Sequence, residues 1–158
     1  MPEIPYVDIQ PLDQEAIREI LRRNHVGRIA YCYQNRVDIE PIHYVFDDDW
    51  IWARTSPGTK LAVVQRNWWV AFEVDEIDAL FEWRSVVVHG GVYIIPDDGT
   101  EQDREVYRRA VELLRTLVPD ALTERDPTPD RTVLFRIAIQ EASGRRATLK
   151  TRTVEAGG

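Results

Sequence analysis

The segment Trp83–Ile95 constrains the fold more than any other. It places Trp83, Ser85, Val87 and His89 on one face and Arg84, Val86 and Val88 on the other, the period-two alternation of a β-strand. Gly90 and Gly91 then interrupt the strand. Glycines inside a strand mark a bulge or a sharp bend, and such a bend is where a sheet curls toward a barrel. The chain should therefore hold a curved antiparallel sheet.

The flanking sequence agrees with that expectation. From Arg28 onward β-branched and aromatic residues crowd together and predict strands at Arg28–Tyr33, Val37–Phe46, Trp50–Arg54, Trp68–Val74 and Phe81–Ile95. Turns fall at Gln34 and Asn35 and at Asp47, Asp48 and Asp49. Pro41 lacks an N–H, so the strand that holds it should lie at an edge, at a bulge or beside a ligand. Before this region Leu12, Ala16, Ile17, Ile20 and Leu21 recur at helical spacing. Acids lie in the first turn, Arg22 and Arg23 in the last, and Gly27 follows as a stop.

A short helix is predicted over Thr59–Arg66 and a longer one over Thr100–Leu117, burying Val106, Ala110, Leu113, Leu114 and Leu117. A proline-rich loop leads to a last strand, Thr132–Ile139. Residues 1–11, with three prolines, read as an extended N-terminal arm, 12–149 as a single domain, and 150–158 as a flexible tail, fraying already beyond Gly144. No internal repeat and no linker divides the chain.

Composition narrows the function. Twenty Lys+Arg against 27 Asp+Glu give a formal charge of -7, which argues against a nucleic-acid partner held by phosphate neutralisation. An anionic ligand would need a local basic pocket. Cys32 is the only cysteine, so no intrachain disulfide or cysteine-based zinc site can form, and a reducing cytoplasm fits best. The N-terminus lacks the basic and apolar regions of a signal peptide, and no stretch is apolar enough to span a membrane.

Chemistry concentrates at Arg54, Thr55, Ser56, Pro57, Gly58, Thr59 and Lys60, where a strand ends, a hydroxyl-rich turn follows and a helix is predicted to begin. Helix-start N–H groups, three hydroxyls and two cations suit an anion; a solvated turn with an ordinary cap is the competing reading. Arg84 could clamp a phosphate or pair with an acid across the sheet. His25, His43 and His89 lie far apart and lack metal-ligand spacing, so no metal is expected. No nucleophile elbow occurs, and Cys32 reads as a packing thiol. Glu73, Asp75, Glu76 and Asp78 read as a solvated turn rather than a glycosidase pair. The five tryptophans, Trp50, Trp52, Trp68, Trp69 and Trp83, suit core packing, a flat ligand or a dimer interface.

Taken in order, several of these landmarks carry a resemblance. Val26–Gly27–Arg28, Glu40–Pro41–Ile42–His43–Tyr44, the turn Thr55–Leu61, Phe72–Asp75 and Trp83–Val88 before Gly90 together resemble the FMN-binding split-barrel family related to pyridoxamine 5'-phosphate oxidase, in particular its small branch with the nitroimidazole reductases. The resemblance spans about Leu12–Arg146. It implies a mainly β fold with helices, a split β-barrel of antiparallel strands, working as a homodimer with FMN at the subunit interface.

Arg54, Thr55, Ser56 and Lys60 would hold the phosphate and ribityl, Pro41, Ile42, His43 and Tyr44 would pass along the ring, and Trp83, Arg84 and Ser85 would complete the pocket. The expected activity is FMN-dependent oxidoreduction of a small molecule, with reduced nicotinamide as an electron donor and His43 and Tyr44 as candidates for contacting substrate. A deazaflavin-dependent reductase and a non-catalytic flavin or haem binder are the alternatives.

Overall fold

The computed structural model of the chain describes residues 1–58, 68–155 and 157. The helix expected over Thr59–Arg66, and with it Lys60, lies outside the described residues. Among those described, the elements run β1 (Glu3–Pro11), α1 (Gln14–Arg23), β2 (Val26–Tyr33), β3 (Arg36–His43), β4 (Val45–Asp47), β5 (Trp50–Thr55), β6 (Trp69–Ala79), β7 (Glu82–Ile94), α2 (Glu101–Leu117) and β8 (Val133–Thr153).

Local chemistry accounts for most boundaries. The Asp13 side chain accepts from the Ala16 N–H to start α1, and Thr100 and Asp103 form a reciprocal capping box at the start of α2. Gln34 and Asn35 join β2 to β3 with φ of 48° and 63°, and Asp48 and Asp49 join β4 to β5 with φ of 52° and 61°. These paired left-handed residues are the two-residue hairpin turns whose twist matches that of the strands they join.

The sheet is antiparallel throughout and follows the order β3-β2-β6-β7-β8-β5-β4, with β1 added to the far stretch of β8. β3 and β4 stand at opposite ends of this path, yet only Tyr44 separates them along the chain. The single strand expected over Val37–Phe46 is therefore two strands, the first paired to β2 and the second to β5. The sheet bends at the two glycines, and among the described residues no ladder closes it: an opening remains between β3 and the end of β5.

Tyr44 pins the break. Fully buried, it donates from its phenol to the Leu21 carbonyl at 2.8 Å and packs edge-on against Phe72. Around it lies the main core: Ile17, Ile20 and Leu21 of α1 with Ile29, Phe72, Val74, Val86, Val88 and Ile137 of the sheet. Each such aliphatic side chain contributes about 1.5–3 kcal/mol by leaving water. Ala110, Leu113 and Leu114 of α2 build a second core over Trp52, Val45 and Leu134 on the outside of β5 and β8.

Three expectations give way at the chain ends and in β6. The N-terminal arm is a strand, and the tail expected to fray beyond Gly144 is its partner: Glu3–Pro11 pairs with Thr153–Arg145 residue by residue. Glu73, Asp75, Glu76 and Asp78 lie within β6, which runs on to Ala79. Glu76 in particular is a hub, accepting from Arg23, Asn24 and Arg84 at 2.5–2.7 Å, and these bonds hold its carboxyl down at about 2.

Candidate functional site

The opening left by the split sheet contains a cavity of about 300 Å³. Glu40, Pro41 and Ile42 of β3 form one wall; Arg54 and Thr55 of β5, the turn Ser56–Gly58 and Arg131 form the other. Pro41 stands on the terminal strand of the sheet, opposite Arg28, so its missing N–H leaves no gap in a ladder. Gly58 turns the chain with φ of 153°, a conformation that side-chain-bearing residues rarely adopt. The structure thus brings together Pro41, Ile42, Arg54, Thr55 and Ser56, which lie on two separate stretches of sequence.

The charges are distributed differently from the sequence expectation. Arg54 is buried, and its guanidinium is spent on Asp126: Nη1 to Oδ2 at 2.5 Å and Nη2 to Oδ1 at 3.0 Å, with a further bond to Thr128 Oγ1 at 2.9 Å. Asp126 also accepts from the Leu122 and Thr128 backbone N–H groups, so the pair ties the loop after α2 to β5. Hydrogen bonds from Arg54, then from those two amides, hold the Asp126 carboxyl well below the usual carboxylate range. An arginine so neutralised keeps little charge for a phosphate, although Arg54 lines the cavity.

Among the described residues, Arg131 is the other cation at this cavity. Its carbonyl accepts from Arg54 at 3.4 Å, and its half-buried side chain lines the cavity in no ion pair among the described residues. The Thr55 and Ser56 hydroxyls are likewise uncommitted there. One guanidinium and two hydroxyls at a common opening can bind an oxyanion. Reading the sequence strand by strand passed over Arg131 and Asp126. The spacing of Asp126 and Thr128 in a Pro-rich loop, an Asx-turn pattern, is the signal that could have found them.

The ring-contacting candidates separate. His43 is exposed and lines a second cavity of about 200 Å³ with Leu114, Leu117 and Val118 at the end of α2, sharing Arg54 and Arg131 with the first. Tyr44 has no exposed surface, so its expected role beside a ligand is replaced by one in the core. Tyr31, also unforeseen, donates to Glu40 at 2.8 Å, and burial together with that carboxylate pushes its phenol up to about 12.

Trp83, Arg84 and Ser85 do not join this site within one chain. Trp83 pairs with Ala147 and Thr55 with Val133, at opposite stretches of β8. Arg84 is held by Glu76 and Asp78, the cross-sheet ion pair that was the alternative for it. Ser85 donates to Glu73 at 3.2 Å.

Two larger hollows, of about 440 Å³ beside α1 and 600 Å³ along α2, contain none of the candidate ligand-binding residues, and the first is spanned by the Arg18–Asp49 ion pair. Among the described residues no cluster of metal-ligating side chains occurs and no helix is long and apolar enough to cross a membrane.

Glu73 lies in the middle of the sheet. In register across it stand Pro41, Arg28, Glu73, Val87 and Ser143. Burial, then the neighbouring Asp75, raises the Glu73 carboxyl above its ordinary value, and its Oε1 is buried without a hydrogen bond among the described residues. A carboxyl raised in the folded state destabilises at pH values above its unfolded pKa and stops doing so as pH falls below it. Glu73→Gln should accordingly raise Tm at pH 7 and leave it unchanged near pH 4; a lower Tm at pH 7 would show that the carboxylate is stabilising instead.

The comparisons with known proteins agree with this architecture. A family model described as pyridoxamine 5'-phosphate oxidase matches residues 13–146. The crystal structure of an FAD-binding protein from Mesorhizobium loti is 28% identical, covers 89% of this chain and 99% of its own, and superposes with a TM-score of 0.73. That of an FAD binding protein from Mycobacterium smegmatis is 26% identical, covers 88% and 100%, and gives a TM-score of 0.63. An uncharacterized protein of Rhizobium meliloti is 24% identical over 88 residues, 56% of this chain; the chain spans only 58% of that curated relative. With the family match covering most of its length and the same split antiparallel sheet, this chain belongs to the pyridoxamine 5'-phosphate oxidase family.

Proposed function

We propose that the chain is a flavin-dependent oxidoreductase that binds a flavin nucleotide such as FMN in the opening between β3 and β5 and acts on a small molecule, as a homodimer. The observation that carries this reading is the cavity itself: in a chain of net charge -7, uncommitted Thr55, Ser56 and Arg131 converge on one opening in the sheet. An anion placed there meets two hydroxyls and a guanidinium. The similarity to two FAD-binding proteins at 26–28% identity supports a flavin in particular.

The flavin supplies two-electron chemistry when bound, with reduced nicotinamide as the proposed electron donor. The chain's own residues bind and orient it. Arg131 and the hydroxyls fix its phosphate, Pro41 offers a flat wall with no N–H, and His43 stands exposed where a substrate could reach it. A second copy is invoked because Trp83 and Ser85 lie far from the cavity in one chain.

The test is the absorption spectrum of the purified protein before and after adding FMN or FAD, read with its elution volume. Flavin bands that co-elute with a dimer-sized peak are expected, and Arg131→Ala should weaken flavin binding roughly 10- to 100-fold, the worth of a charged hydrogen bond. Wild-type affinity in that variant would remove the phosphate assignment. A protein that ignores both flavins, or shows a Soret band instead, would overturn the reading.

A further inference from the structure

We infer that Trp50, Trp68, Tyr93 and Arg136 form a second binding site, which takes a small flat ring bearing a carboxylate. The strand register builds it. Trp50, Ala138 and Gly91 stand side by side across β5, β8 and β7, and Trp52, Arg136 and Tyr93 form the next row of the same face. Gly91 has no side chain, and the Trp68 ring lies where its Cβ would point. The single methyl group of Ala138 is thus flanked by Trp50 on one side and by the Trp68 ring on the other. Tyr93 reaches both, with ring centroids 5.8 Å from Trp50 and 6.2 Å from Trp68. Tyr93 and Trp68 are 48% and 49% exposed. Rings left open to water in contact with one another, rather than singly, mark a place of interaction.

Charge selects the ligand. Arg136 lies 3.7 Å above the Trp50 ring and 5.1 Å from that of Trp52, and it makes no hydrogen bond and no ion pair among the described residues. Burial pulls its pKa below the ordinary arginine value, and Asp48, in the turn before β5, offsets this from a distance. A guanidinium partly withdrawn from water and lacking an acid gains most from a carboxylate that meets its planar fork. One cation with Asp48 nearby suits a monoanion over a dianionic phosphate. The tryptophans and Tyr93 then offer faces and edges to the ring that carries the charge. This site is separate from the opening between β3 and β5: Trp50 begins β5 and Thr55 ends it, roughly 17 Å apart at strand spacing. It does not rest on the flavin reading.

The experiment titrates benzoate into the isotopically labelled full-length protein and follows the tryptophan indole N–H signals by NMR. Benzyl alcohol, which lacks the charge, and acetate, which lacks the ring, are titrated beside it. The signals of Trp50 and Trp68, assigned with Trp50→Phe and Trp68→Phe, should move with benzoate. That of Trp83, which pairs with Ala147 on the far stretch of β8, should not. Arg136→Gln should weaken benzoate about tenfold or more, the worth of a charged hydrogen bond, and leave the weaker binding of benzyl alcohol unchanged. Added salt should weaken benzoate in wild type and leave benzyl alcohol alone. Benzoate that moves neither signal, that binds no better than both control probes, or that binds Arg136→Gln as tightly as wild type would overturn the inference. So would an elution volume that shifts to a smaller species in Arg136→Gln, since the rings would then be an interface between copies. Should circular dichroism show Arg136→Gln unfolded, the salt series in wild type decides alone: an affinity for benzoate that salt leaves unchanged would overturn the inference.

Discussion

Alanine at Gly90 is expected to be the most damaging single methyl group that can be added to this chain. An ideal Cβ at Gly90 would lie 1.7 Å from the Ala138 carbonyl oxygen and 2.9 Å from its carbon. Both are backbone atoms of β8, so no rotamer change relieves the overlap. The contact exists because the β7–β8 register shifts between His89 and Gly90, where the sheet bends. Separating the strands would break the ladder on which β5 and β1 also depend, since both pair with β8.

A cost of about 3 kcal/mol or more follows, which for a chain of 158 residues is a fall in Tm of roughly 6–12 °C. Thermal denaturation followed by circular dichroism measures it, and a Tm within about 2 °C of wild type would refute the close approach. Gly91→Ala is the internal control. Its Cβ would meet the Trp68 ring at 2.0 Å, a side chain rather than backbone, and Trp68 is half exposed beside Trp69 and Tyr93. That variant should show a smaller loss of Tm together with altered tryptophan fluorescence.

The second large effect is expected of Asp126→Asn. The substitution keeps the shape of the side chain but removes the charge opposite Arg54, whose side chain is 8% exposed. A buried guanidinium left against a neutral amide is costly, because breaking one partner of such a pair leaves an uncompensated charge out of water. The loop bearing Arg131 also loses part of its anchor, as the same carboxylate accepts from the Leu122 and Thr128 amides. Tm should fall by roughly 10 °C at pH 7, and flavin affinity should fall with it through displacement of Arg131.

The pH dependence has a definite sign. Asp126 is held below the usual carboxylate range, so its stabilisation is fully present above the unfolded value of about 4 and disappears as pH falls toward the folded one. The gap in Tm between wild type and Asp126→Asn should narrow below about pH 4 for that reason. A gap that is absent at pH 7, or that widens in acid, would sink the account. Replacing both partners, as in Arg54→Met with Asp126→Leu, should restore much of the stability without restoring the loop geometry.

Legibility in the sequence follows the range of the interaction. The hairpin turns at Gln34–Asn35 and Asp47–Asp49 were readable because left-handed backbone favours particular residues at particular places. Both described helices were readable from apolar spacing and caps. The opening between β3 and β5 was half readable: Pro41 announced an edge and Thr55–Gly58 an anion-binding turn, but nothing local said that they face each other.

Three features escaped a local reading. The stretch beyond Gly144 is polar and reads as a tail; Arg145–Thr153 is a strand because Glu3–Pro11, at the other end of the chain, supplies its ladder. Tyr44 follows an exposed candidate ligand residue and is nonetheless buried, since the strand breaks there and turns its ring onto Phe72 and Leu21. Arg54 is basic and sits beside the hydroxyl-rich turn at Thr55 and Ser56, yet its charge is claimed by a residue 72 positions away.

The sequence by itself determined which segments extend and which coil, where the chain reverses and where the sheet must bend, because backbone preferences and apolar periodicity act over a few residues. Tertiary structure decided which cations remain available for a ligand. Arg54 and Arg84 are neutralised by Asp126, Glu76 and Asp78, while Arg131, at the opening of the sheet, is in no ion pair among the described residues. Charge pairing depends on distance in space, and a side chain's partner is set only once non-local strands and the loop after α2 have come together.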